Sequence, residues 1–150
     1  MTELPVVLVF AGNDPSGGAG LQADIQTLTS LGCHPAPVVT AITVQDTAGV
    51  KQFVPVEAGL VIAQARAILE DMPVAAIKTG MLGSIDNLTA LAGILNDYPD
   101  IPLIVDPVLA SGGGVALSDE PIEEALHALL LPQTTLLTPN TLEARRLAPD

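Results

Sequence analysis

The chain has 150 residues, 49% of them apolar but only 2% aromatic, so one aliphatic core of Val, Leu, Ile and Ala is expected. Its net charge of −12 leaves five basic residues, Lys51, Arg66, Lys78, Arg145 and Arg146, and only the last two are adjacent. That excludes the clustered cationic surface needed by nucleic acid or an anionic membrane, and a single cysteine, Cys33, excludes an internal disulfide and zinc-type spacing.

The first residues, Met1-Thr2-Glu3-Leu4-Pro5, lack the basic start of a signal peptide, and no apolar run is long enough for a membrane span. A cytoplasmic protein is the resulting expectation. Pro5–Ala11 reads as a buried strand. Ser16–Leu31 reads as a helix with Ser16 as its N-cap, because Leu21, Ile25, Leu28 and Leu31 lie near helical spacing. Pro37–Val44 is a second strand, and Gln52–Val56 is an edge or hairpin segment.

Glu57–Met72 reads as a helix, Val74–Ile77 as a strand, and Ile85–Leu95 as a helix through Leu88 and Leu91. Pro102–Val105 is a strand ending in Asp106-Pro107. Asp119–Leu131 is helical, Thr134–Leu137 is a strand, and a last helical turn follows Asn140. Strands alternating with helices predict a mostly parallel sheet covered on both faces. No linker, repeat or domain boundary interrupts residues 1–150, so a single α/β domain is expected.

Polar and glycine residues gather where these strands end: Gly12, Asn13 and Asp14; Thr43, Gln45 and Asp46; Lys78, Thr79, Gly80 and Met81; Asp106 with Ser111-Gly112-Gly113-Gly114; Asn140 and Glu143. In an open parallel sheet such ends line one crevice, which predicts a small-molecule site. Asp106 and Glu143 suit a partly hydrated Mg²⁺, and equally suit helix caps and solvated positions.

Gly17, Gly18 and Gly20 leave two readings open. Gly18-Ala19-Gly20-Leu21-Gln22-Ala23 fits the dinucleotide pattern G-x-G-x-x-A, with Asp46 near the place of a ribose-binding acid. Against that, Asn13-Asp14-Pro15-Ser16 separates strand from glycines, which suits a loop contacting a flat substrate. No Walker loop occurs. Lys78 either steadies an anion or snorkels at the sheet rim. His34, His127 and Ser111 read as structural, since none has the neighbours that metal binding or a nucleophile elbow requires.

Five stretches occur in order: AGNDPSGGAGLQAD at 11–24, TAITVQDT at 40–47, IKTGML at 77–82, VDPV at 105–108 and TPNTLEA at 138–144. Together they resemble the bacterial hydroxymethylpyrimidine/phosphomethylpyrimidine kinases of thiamine biosynthesis, in the ribokinase-like superfamily. The resemblance implies a ribokinase-like, Rossmann-like fold. It implies ATP- and Mg²⁺-dependent phosphorylation of 4-amino-5-hydroxymethyl-2-methylpyrimidine, then of its monophosphate. It places Gly12, Ala19, Thr43, Gln45, Met81 and Val108 around the pyrimidine. Asp106, Asn140 and Glu143 would organise nucleotide phosphates, and Asp106 and Glu143 the metal.

Relatives of this kind continue past residue 150, into a glycine-rich anion hole that carries the residue assigned to catalysis. The expectation is therefore the N-terminal part of a kinase domain, with no catalytic residue inside this chain. It would bind the pyrimidine without turning over ATP, and would expose a sheet edge and apolar helix faces. The resemblance also implies a homodimer in the full-length form. Asp46 stands where many relatives have Asn. Rival readings are a pyridoxal-type kinase, an NAD-binding oxidoreductase domain, and a binding module without transfer activity.

Overall fold

The strands are β1 (Val6–Gly12), β2 (His34–Asp46), β3 (Gly49–Pro55), β4 (Val74–Thr79), β5 (Leu103–Val105) and β6 (Leu136–Leu137). They form one sheet in the order β3-β2-β1-β4-β5-β6. The structure is a computed structural model that describes residues 3–109 and 121–148. All pairs are parallel except β2 with β3, which is an antiparallel hairpin. That settles the segment before Val56 as half of a hairpin. β2 is also longer at both ends than Pro37–Val44.

The helices are α1 (Gly20–Ser30), α2 (Ala58–Leu69), α3 (Ile85–Asp97), α4 (Ile122–Ala125) and α5 (Thr141–Leu147). Glu57 caps α2 and Ser84 caps α3 through side-chain oxygens that accept backbone N–H groups. After α4 the chain widens to a π turn over Leu126–Leu130 and tightens to a 3₁₀ turn over Leu131–Gln133. Pro132 has no N–H to extend the ladder, so the helical stretch ends there. Asp119, proposed as the start of this helix, lies outside the described residues.

Alternation along β1 divides the core in two. On one face Leu8 and Phe10 join Val38, Ile77 and Leu103, and pack against Val61 and Ala65 of α2 and Leu88, Leu91 and Leu95 of α3. On the other, Val9 and Ala11 meet Leu21 of α1, with Ile25 and Leu28 half-buried beside them. Helices thus cover both faces, as alternation in the sequence predicts. On the α1 side, in-register positions Lys78, Ile104 and Leu136 continue across β4, β5 and β6. That row ends at Leu136, which is 55% exposed on the edge strand. Leu60 of α2 and Leu142 of α5 are likewise exposed.

Candidate active site

From β1 the chain passes to β2 on one side and later returns to β4 on the other. The ends of β1 and β4 therefore flank the switch point where open sheets place ligands. The loop leaving β1 wraps around its own anion. Asp14, buried at 2% exposure, accepts Ser16 N and Ser16 Oγ on Oδ1 at 2.8 and 2.7 Å. Its Oδ2 accepts Gly18 N at 3.0 Å and Ala19 N at 2.7 Å.

This corrects the expected start of the first helix. Ser16 is no N-cap: its hydroxyl serves Asp14, and α1 begins at Gly20 behind Ala19, which makes no side-chain cap bond. Gly20 has φ +57, and a Cβ there would overlap the Gly12 carbonyl oxygen. The same geometry sets aside the dinucleotide alternative. The amides of Gly18 and Ala19 are engaged by Asp14, so they are not free for a pyrophosphate. Asp46 is occupied too, accepting from Ala48 N and Gly49 N in the hairpin turn and pairing with exposed Lys51.

A cavity of about 220 Å³ opens at the strand ends. It is lined by Ala11, Gly12, Asn13, Ala19, Gly20, Thr43, Gln45, Val50, Lys78, Gly80, Met81, Asp106 and Val108. All six residues assigned to the pyrimidine by resemblance are among them. Asn13 laces β1 to β2: its N donates to Ala41 O at 3.2 Å. Its Oδ1 accepts Thr43 N at 2.7 Å, and its carbonyl accepts Thr43 Oγ1 at 2.7 Å. Gln45 Nε2 donates to Thr43 Oγ1 at 2.9 Å and to Asn13 O at 3.3 Å. Its amide donor is thus engaged within the protein, which leaves Oε1 to accept.

Met81 is placed by a buried polar clamp. Thr40 Oγ1 donates to Met81 O at 2.5 Å. Asn87 Nδ2 donates to Thr40 O at 3.1 Å and Leu82 O at 2.9 Å, fixing the turn after β4 against β2. Asn87 is fully buried.

The acidic residues sit toward β5 and β6. Asp106 follows β5, lines the cavity and has no side-chain hydrogen-bond partner among the described residues. Burial holds its carboxyl above the usual range; Lys78 pulls it down, and Glu143 and Asp24 push it up. Asn140 and Glu143 do not line the cavity. They form a capping box at α5, with Glu143 N donating to Asn140 Oδ1 and Asn140 N to Glu143 Oε2, both at 2.9 Å. Glu143 keeps one carboxylate oxygen outside the box, and its charge is among those that raise the Asp106 carboxyl. A carboxylate without protein donors beside a second acid suits a hard, largely hydrated cation. Among the described residues no group of three potential ligands forms a closed metal cage.

Ser111, Gly112, Gly113 and Gly114 lie outside the described residues. His34 and His127 are exposed and away from the cavity. Cys33 is free and half-buried at the turn into β2. Three contributors carried no assigned role in the sequence reading. Asn13 and Asp14 stand inside the quoted glycine stretch, and Asp24 closes it, paired across space with Lys78.

The fold aligns with solved small-molecule kinases. The Staphylococcus aureus pyridoxal kinase in complex with pyridoxal superposes at TM-score 0.84 with 32% identity, over 97% of this chain and 54% of that one. The Clostridium difficile phosphomethylpyrimidine kinase superposes at TM-score 0.87 with 35% identity, over 97% of this chain and 63% of that one. A ribokinase-like kinase architecture is thereby shown.

The family profile described as phosphomethylpyrimidine kinase matches residues 14–150, and the chain belongs to that family. The hydroxymethylpyrimidine/phosphomethylpyrimidine kinase of Mycobacterium bovis is 44% identical over 144 residues. That alignment takes in 95% of this chain and 52% of the relative, so the chain spans about half the length of this curated relative.

Proposed function

We propose that this chain forms the pyrimidine-binding side of an ATP- and Mg²⁺-dependent kinase. Its substrates would be 4-amino-5-hydroxymethyl-2-methylpyrimidine and the corresponding monophosphate. One observation carries the reading: Gly12, Ala19, Thr43, Gln45, Met81 and Val108, drawn from five separate loops and strands, converge on a single cavity at the switch point. Gln45 Oε1, left free by the bonds to Thr43 and Asn13, accepts from the exocyclic amine. Met81 and Val108 supply the apolar walls for the ring.

Asp106 and Glu143 would hold the Mg²⁺, and Asn140 orients Glu143 through the capping box. When bound, the cation neutralises charge on the transferring phosphates. Catalysis of this kind rests mainly on positioning. The homodimer and the cytoplasmic location belong to the same proposal. Among the described residues no helix is long and apolar enough to cross a membrane. Sedimentation of a full-length form checks the dimer.

The test is calorimetric titration of the chain with the hydroxymethylpyrimidine, with pyridoxal as competitor. Saturable binding that Gln45→Leu weakens about tenfold is expected, one hydrogen bond's worth. Absence of binding overturns the reading. Tighter binding of pyridoxal favours the second reading, a pyridoxal-type kinase, which the likeness to the S. aureus structure supports.

A further inference from the structure

Lys78 occupies an unusual place for a cation in so acidic a chain. It lies one residue before the end of β4, in register with Val9 on one side and Ile104 on the other, on the face that α1 covers. Its ammonium lies 2.9 and 3.0 Å from the two carboxylate oxygens of Asp24, which projects from α1. The two side chains are only 23% and 18% exposed. Lys78 is also the only cation among the described residues that line the cavity.

Three of the other basic residues pair at exposed positions: Lys51 with Asp46, Arg66 with Asp97, and Arg146 with Glu123. None of them reaches the cavity.

Stability alone gives little reason for this arrangement. A part-buried ion pair gains little over apolar side chains of the same volume, because desolvation offsets the attraction. An ammonium has three donors, and Asp24 takes two. The third has no partner among the described residues. Gly80, the next residue but one, keeps space open beside it: a Cβ there would stand 3.4 Å from Lys78 Nζ. A charged donor with one free N–H thus borders open space at the end of the sheet.

We propose that Lys78 contacts a phosphoryl group brought into the cavity, and that Asp24 is the positioning residue that holds the ammonium there. The inference rests on the kinase reading above and deepens it. The phosphoryl group has two possible carriers, the monophosphorylated pyrimidine and the terminal phosphate of the nucleotide. The chemistry is the same for both: a charge-assisted hydrogen bond to a phosphate oxygen.

The test titrates the whole chain and its Lys78→Met variant with four probes: the pyrimidine alcohol, its monophosphate, ATP and inorganic phosphate. Lys78→Met is expected to weaken phosphorylated probes about tenfold or more while the alcohol changes by less than about twofold. Loss confined to the monophosphate assigns the substrate as carrier, and loss confined to ATP assigns the nucleotide. Equal loss for every probe, or loss for none, overturns the proposal.

Failure of the alcohol to bind the unaltered chain strikes the pyrimidine reading instead. Phosphate binding that Lys78→Met removes and Lys51→Met retains then still upholds the contact, and phosphate binding that both retain overturns it. For Asp24, the Asp24→Asn variant is expected to weaken the monophosphate about threefold and Asp24→Glu to restore it. Unchanged affinity in Asp24→Asn overturns the positioning role. Should Lys78→Met not fold, the ¹⁵N resonance of the Lys78 ammonium in the unaltered chain decides. A shift on adding monophosphate but not alcohol supports the contact, and no shift with either phosphorylated probe overturns it.

Discussion

Asn13 and Thr43 are joined twice, through Thr43 N to Asn13 Oδ1 and Thr43 Oγ1 to Asn13 O, each at 2.7 Å. One residue directly follows β1 and the other lies in β2, so the pair fixes the spacing of two cavity walls. Asn13→Ala leaves Thr43 N without its acceptor and frees the loop. A stability loss of about 1–2 kcal/mol is expected. Pyrimidine affinity is expected to fall about tenfold, because the Asn13 backbone carbonyl that holds Gln45 moves with the freed loop. Urea unfolding and calorimetry measure the two effects.

Gly20 and Gly17 both have positive φ, but only Gly20 faces a backbone oxygen. Gly17→Ala meets nothing within 4 Å and is expected to cost about 1–2 kcal/mol for the left-handed backbone alone. Gly20→Ala adds the overlap with Gly12 O, which forces α1 away from β1. Its cost is expected to exceed that of Gly17→Ala by at least about 2 kcal/mol. Equal denaturation midpoints for the two variants would contradict this.

Asp14 and Asp106 titrate with opposite consequences. At Asp14 burial pushes the carboxyl up, but the Ser16 hydroxyl and the amides of Ser16, Ala19 and Gly18 outweigh it and hold it below its ordinary 3.8. The stability it gives is complete above that value and is lost as pH falls through the lower native value. At Asp106 the native carboxyl lies above 3.8, so its contribution runs the other way: it costs stability as pH rises past 3.8. Asp14→Asn is expected to flatten the acid limb of stability against pH. Asp106→Asn is expected to raise the neutral-pH melting temperature while weakening Mg²⁺ binding. Thermal scans between pH 3 and 7 check both.

Asn87 lies outside the cavity yet controls one of its walls. Asn87→Leu takes the side-chain donor from the Leu82 carbonyl and leaves the Thr40 carbonyl held by Val56 N alone, at a cost of about 2 kcal/mol. Since Thr40 also holds Met81 O, the turn carrying Met81 loosens. Pyrimidine affinity is expected to drop along with stability, whereas an equally destabilising Leu130→Ala, deep in the core, is expected to spare affinity.

The sheet was legible because its strands are short apolar runs rich in Val and Ile, separated by helical spacing and turn residues. The cavity walls were legible because strand ends in such a sheet must share one rim. The start of α1 was not, since Ser16 fits a cap by type, and only the fold shows its hydroxyl turned to Asp14. Nor does the sequence reveal which end of the Gln45 amide faces the cavity, because its donor is engaged by Thr43 and Asn13, residues 2 and 32 positions away. The link between Asp24 and Lys78 crosses 54 positions and leaves no local pattern.

A groove beside the cavity runs between the glycine loop and the hairpin turn, with Asp14, Ser16 and Gly18 on one bank and Asp46, Ala48 and Gly49 on the other. Each bank is stiffened by its own aspartate. Among the described residues no hydrogen bond joins residues 14–19 to residues 46–50. The doorway therefore has two separate jambs, each turn held by its own aspartate and neither bonded to the other. A substitution that unravels one turn would therefore reshape the doorway on its own side and leave the facing bank intact.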